Sequence, residues 1–217
     1  MRIGILGTGM AGRTLGARLV QLGHEVVLGA RQPTNEVARG WASELGERAA
    51  AGTFADAAAH GEVVVNATAG SASVAALQAA GADNLDGKVL IDIANPLDFS
   101  AGMPPRLAVA NTDSLGEAIQ REFPAARVVK ALNTVNANVM VDPARVPGEH
   151  SVFVAGNDPE AKAAVIGILR ELGWPASSVV DLGDITAARG LEMYLPLWVR
   201  LMLTWGTADF NIKVVRP

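Results

Sequence analysis

The chain opens with RIGILGTGMAGRTLG, where a short apolar run meets three glycines, Gly7, Gly9 and Gly12, and then a helical pattern. A G-x-G-x-x-G spacing says little by itself; between a strand and a helix it becomes specific. Gly7 permits the tight turn, Gly9 lets the backbone approach a pyrophosphate, and Gly12 permits close helix–strand contact. Unpaired N–H groups at the helix start attract an anion. Gly7, Thr8, Gly9, Met10, Ala11 and Gly12 are therefore the first expected cofactor-binding residues, and the Thr8 hydroxyl can donate a further hydrogen bond.

Such a turn needs a parallel sheet to hold it, and the remaining pattern supplies one. Strands are expected at 2–6, 25–29, 48–51, 62–67, 88–93, 127–132, 151–156 and 178–183. Helices are expected at 10–22, 36–45, 54–60, 71–80, 114–122 and 159–172, with one long helix over 186–206. NPLDFSAGMPPR, with its prolines, reads as a surface segment, and FNIKVV as an edge strand. Short apolar strands alternating with helices imply a mostly parallel sheet covered on both faces. Right-handed crossovers make it doubly wound. The expected fold class is α/β, a doubly wound, mostly parallel Rossmann-like sheet with a small C-terminal α/β extension. Residues 1–150 would form the dinucleotide-binding domain. Residues 151–217 would form the extension, part of the substrate pocket and a dimer interface.

Composition narrows the function. Hydrophobic residues make up 50% of the 217, enough for a sizeable core. The net charge of −4 and the lack of a basic cluster give no footprint for nucleic acid. Without cysteine the chain cannot use thiolate, disulfide or iron–sulfur chemistry, and this fits a cytoplasmic location. His24, His60 and His150 lie far apart with no metal-ligand spacing, so no metal site is expected. No run reaches the ~20 apolar residues of a membrane span. The first apolar run is interrupted by Gly7-Thr8-Gly9 and followed by Arg13 and Arg18, unlike a signal peptide.

The second strand ends HEVVLGAR, where many dinucleotide folds place an acid that bonds the ribose 2′-hydroxyl. Here Ala30 leaves room and Arg31 offers a guanidinium suited to a 2′-phosphate. NADP(H) is therefore the expected cofactor. Asn66, Ala67 and Thr68 follow the next strong strand and would line the middle of the cofactor; Asn95 and Pro96 would lie at its nicotinamide end. Asp92, inside its strand, reads as a structural hydrogen-bonding residue.

Asn133, Thr134 and Asn136 lie beyond a later strand end and are the expected substrate-binding residues. They can orient a ring or polarise a carbonyl but are poor proton donors. No Ser–His–acid set or carboxylate pair is present, so no catalytic side chain is assigned. Lys130, within its strand, is expected to face a helix or solvent. Hydride transfer between two bound redox rings needs alignment more than a side-chain acid. Leu191, Tyr194, Leu195, Trp198, Leu201 and Met202 recur at helical spacing, as core, pocket wall or dimer face.

RIGILGTGMAGRTLG, HEVVLGAR, DIANP, VVKALNTV, VAGNDPEAK and VVDLGDITAARGLE together resemble the F420-dependent NADP oxidoreductase family over nearly the whole chain. The resemblance implies NADP held by the glycine turn and the GAR segment, a homodimer, and a small-molecule redox partner, F420 or FMN. It matches Arg31 to the 2′-phosphate arginine, and Thr8 and Thr68 to nucleotide-contacting loops. Ala30 stands where a serine is often found. Thr68-Ala69 replaces an isoleucine–proline pair, and Asn133 a histidine near the deazaflavin. Two alternatives stand beside this reading: an NADPH-dependent reductase of a small imine or carbonyl, and a non-catalytic NADP(H) sensor.

Overall fold

Apolar residues alternate along the central strands, and that alternation divides the core into two layers. The computed structural model describes residues 1–216. The first half runs β1 (Arg2–Leu6), α1 (Met10–Gln21), β2 (Glu25–Ala30), α2 (Glu36–Leu45), β3 (Ala49–Thr53), α3 (Phe54–His60), β4 (Val63–Asn66), α4 (Ser73–Ala80) and β5 (Val89–Asp92). A hairpin of β6 (Leu97–Asp98) and β7 (Arg106–Leu107) precedes α5 (Leu115–Glu122) and β8 (Arg127–Ala131). Then come α6 (Ala137–Val141), β9 (Val152–Gly156), α7 (Pro159–Glu171), β10 (Val179–Asp181), α8 (Ala188–Met193) and α9 (Leu195–Trp205).

The eight-stranded sheet has the order β10-β9-β8-β5-β4-β1-β2-β3, and the order reverses at β1. Every pairing is parallel except β8 with β9. On one face Ile3, Ile5, Val63, Val65, Val89 and Ile91 pack with Leu15, Leu19, Trp41 and Leu169. On the other, Leu6, Val64 and Leu90 pack with Ala57, Leu77 and Ile119. Full burial of each larger aliphatic side chain contributes roughly 1.5–3 kcal/mol.

The expected fold class is the observed one, an α/β sheet flanked by helices with a C-terminal α/β extension. Three expectations change. The long helix over 186–206 is broken into a 3-10 turn (Ile185–Ala187), α8 and α9. Pro196 lies in the first turn of α9, where its missing N–H is harmless; inside a continuous helix its ring would clash with the preceding turn. FNIKVV forms no strand. Its Ile212 carbonyl accepts from Ser151 N–H, but Val214 N–H turns to the Ser151 hydroxyl, and Asn211 bonds His150 and the Ser151 carbonyl. Side-chain bonds thus replace a ladder. The third is a refinement: NPLDFSAGMPPR runs over the surface as expected but is not irregular throughout, since Leu97 and Asp98 pair with Leu107 and Arg106 in the β6–β7 hairpin.

Candidate active site

The glycine turn after β1 is shaped by contacts that allow no side chain. Gly7 has φ +116°, and an added Cβ would lie 2.6 Å from the Ala67 carbonyl oxygen. At Gly12 an added Cβ would lie 2.3 Å from the Gly7 carbonyl oxygen. Gly9 is different: nothing lies within 4 Å of its added Cβ. Gly9 also begins α1 without a capping side chain, and the first turn has no acid. Side chains of Asn35, Thr53, Ser114, Asn136 and Asp158 cap α2, α3, α5, α6 and α7. The start of α1 thus presents free N–H groups to open space, an arrangement that fits a phosphate.

From this turn a groove of 710 Å³ extends along the carboxyl ends of the strands. It takes in Gly7, Thr8, Gly9, Ala30, Arg31, Ala67 and Thr68. The Arg31 side chain is exposed and makes no ion pair among the described residues. Two features escaped the sequence reading: Phe54, and a wall of small residues on and before α4 formed by Ala72, Ala75, Ala76 and Ala79. The repeated alanines of SASVAALQAA were the available signal. A second cavity, of 280 Å³, shares Ala67, Thr68 and Ala69 with the groove and takes in Ala11, Asn95, Leu97 and Phe99.

The other expected residues fall behind these surfaces. Met10 is exposed on the outer side of α1 and Gly12 is packed beneath the turn. Pro96 is buried next to Asn95. Asn133 is buried and its Nδ2 donates to Asn95 Oδ1 at 2.9 Å and to the Leu191 carbonyl at 3.1 Å; Asn95 Nδ2 donates back to the Asn133 carbonyl at 2.8 Å. Leu132, just before it, holds a left-handed φ of 60°, an unusual state for a branched residue that turns the chain at the end of β8. Thr134 is buried. Asn136 caps α6 through Oδ1, while its Nδ2 donates to Asp209 at 2.9 Å and to the Ala208 carbonyl. The structure thus joins Asn95 to Asn133 and commits the side chain of Asn136 elsewhere.

Of the two settings expected for Lys130, a helix or solvent, the structure gives the helix: its amine meets Glu192 of α8 and is fully buried. Its Nζ lies 2.8 Å from Asp92 Oδ2, 2.8 Å from Glu192 Oε1 and 2.5 Å from the Ala94 carbonyl. Asp92 also accepts from Asn66 Nδ2 at 2.9 Å; Asn66 Oδ1 in turn accepts from the Thr68 hydroxyl at 2.7 Å. Glu192 accepts from the N–H groups of Leu115 and Gly116, at 2.8 and 3.0 Å, where α5 begins. One polar chain therefore runs from the groove residue Thr68 to α8. Two carboxyl groups thus share one ammonium out of water. Burial opposes the charge on Lys130, but Asp92 and Glu192 outweigh it and raise the ammonium above its ordinary range. Burial likewise pushes the Glu192 carboxyl up, with Lys130 pulling it back.

A glycine cradle beside the strand-order reversal and an open groove over the strand ends define a Rossmann-type dinucleotide-binding protein. The family profile described as NADP oxidoreductase coenzyme F420-dependent matches residues 2–96. A solved structure from Arthrobacter sp. FB24, provisionally named an F420-dependent NADP-reductase, is 57% identical, covers 100% of both chains and superposes with a TM-score of 0.95. The F420-dependent NADP reductase of Methanocaldococcus jannaschii is 27% identical over 99% of this chain and 98% of its own. The metalloreductase STEAP3 of Rattus norvegicus is 31% identical over 94% of this chain, which spans 38% of that relative's length. The chain belongs to the F420-dependent NADP oxidoreductase family and is an NADP(H)-dependent oxidoreductase.

Proposed function

We propose that the chain passes hydride between NADP(H) and a deazaflavin (F420) or flavin-like acceptor by direct alignment of the two rings. The observation that carries this reading is the pair of adjoining spaces, the 710 Å³ groove and the 280 Å³ cavity, which meet at Ala67, Thr68 and Ala69. Among the described residues that line them, Arg31 is the one titratable side chain, so no carboxylic acid, imidazole or phenol faces the junction. Hydride transfer to a conjugated ring is compatible with such a wall; reduction of a simple carbonyl is served better by a positioned acid.

In this reading the residues from Gly7 to Gly12 hold the pyrophosphate, with Ala30 and Arg31 at the 2′-phosphate. Asn66 orders Thr68, and Thr68, Ala67, Asn95 and Pro96 shape the nicotinamide end. When bound, the nicotinamide supplies the hydride. The chain orients the rings and excludes water, while Asn133, bonded to Asn95, and the adjacent Thr134 support the acceptor side from beneath. Residues 1–150 form the NADP-binding unit, and 151–217 the extension that braces it. A homodimer through α9 fits the exposure of Leu197, Leu203 and Trp205. Purified protein should oxidise NADPH when given F420 or FMN. Absence of NADPH oxidation with both acceptors would refute the proposal.

A further inference from the structure

The chain has five phenylalanines, and four of them, Phe54, Phe123, Phe153 and Phe210, are buried. The fifth, Phe99, is 56% exposed and borders the 280 Å³ cavity. An exposed phenylalanine alone means little. Here its backbone is fixed while its ring is left largely in water. The Phe99 carbonyl accepts from Gly102 N–H at 2.9 Å. Asp98, its neighbour, accepts from the Ser100 N–H and hydroxyl, at 2.8 and 2.9 Å. Just before it, Leu97 N–H donates to the Asn95 carbonyl at 2.8 Å, and Ala108 N–H to the Pro96 carbonyl at 2.8 Å. The β6–β7 hairpin is therefore stitched to the strand end that carries Asn95.

The cavity is otherwise lined by small and aliphatic residues, Ala11, Ala67, Ala69 and Ile93 among them, with Thr68, Ser71 and Asn95 as its polar members. A lining of mostly small residues with a single, largely exposed aromatic leaves a space suited to a flat ring system. A polar ligand with neither apolar surface nor a π-face would gain little from that aromatic.

We propose that Phe99 is the specificity-determining residue for the acceptor, stacking on a planar tricyclic ring of the deazaflavin or flavin class; this rests on the hydride-transfer reading above. Offset stacking against an aromatic adds binding beyond the area it covers. A backbone already held in place lowers the ordering cost of that contact.

The test compares wild type, Phe99→Ala and Phe99→Trp, with F420 and FMN as acceptors and direct NADPH titration alongside. Phe99→Ala should raise the acceptor KM about tenfold and leave NADPH affinity unchanged. Phe99→Trp should restore the wild-type KM. An unchanged acceptor KM in Phe99→Ala, or an equal loss of NADPH affinity, would overturn the role of Phe99 while leaving hydride transfer intact. Failure of the wild type to oxidise NADPH with either acceptor would overturn the parent reading, and the role of Phe99 with it.

Discussion

Replacing Lys130 by methionine would leave Asp92 and Glu192 buried with no countercharge. Methionine keeps much of the lysine stem, so the lost group is mainly the ammonium and its bonds to Asp92, Glu192 and the Ala94 carbonyl. Removing one partner of a buried ion pair costs about 3–5 kcal/mol because the remaining charge is unpaired. Against a total stability of roughly 5–15 kcal/mol, that loss is severe. With a urea slope of about 2 kcal/mol/M, the unfolding midpoint should fall by roughly 1.5–2.5 M. The loss should depend on pH. In the variant Glu192 keeps the burial that raises its carboxyl and loses the Lys130 that pulls it back, so its folded-state pKa lies further above the unfolded value of about 4. A group so shifted favours the folded state at pH below its unfolded value and loses that advantage as pH rises through the folded value. The deficit should therefore shrink from pH 7 to pH 5, by up to ~1.4 kcal/mol per pH unit for each proton taken up. Urea titrations followed by far-ultraviolet circular dichroism at both pH values give the answer. A deficit below about 1 kcal/mol, or one independent of pH, would refute the account of the cluster.

Three further outcomes follow from the geometry. Arg31→Ala should weaken NADPH binding about 10- to 100-fold, in line with a charge-assisted bond of ~1.5–3 kcal/mol, and leave NADH binding nearly unchanged; equal losses in titrations with both would remove the phosphate role. Gly9→Ala should retain the wild-type melting temperature yet lose NADPH affinity, whereas Gly12→Ala should lower the melting temperature because its Cβ meets backbone at 2.3 Å; calorimetry and cofactor titration separate the two. Leu203→Glu, on the exposed face of α9, should convert a dimer to a monomer in light scattering, and an unchanged mass would exclude that face.

The legible parts of the fold were those with local signals. Val63–Val65 and Val89–Ile91 declare buried strands by continuous apolar sequence, and Gly7, Gly9 and Gly12 declare the turn by spacing. The antiparallel direction of β9 has no such signal, because direction is set by where the chain returns after α6. The choice between helix and solvent for Lys130 had no local signal for a related reason: its carboxylate partners Asp92 and Glu192 are remote in sequence. The break at Tyr194 was visible in Pro196 and outweighed by the run of leucines. Arg31 was found from the absence of an acid. Phe99 was missed because a proline-rich stretch suggests only surface, and nothing local indicates which cavity borders it.

The Glu192 carboxylate reaches back 77 residues to the Leu115 amide and meets Lys130 on the way. A ribosome delivers it late. Until α8 emerges, Lys130 and Asp92 can already neutralise each other, but the first amides of α5 have no carboxylate to accept them. Growing chains should therefore collapse around the early strands and lock the centre of the sheet only near the end of synthesis. Pulling experiments on stalled chains of increasing length would locate that step at the arrival of residue 192.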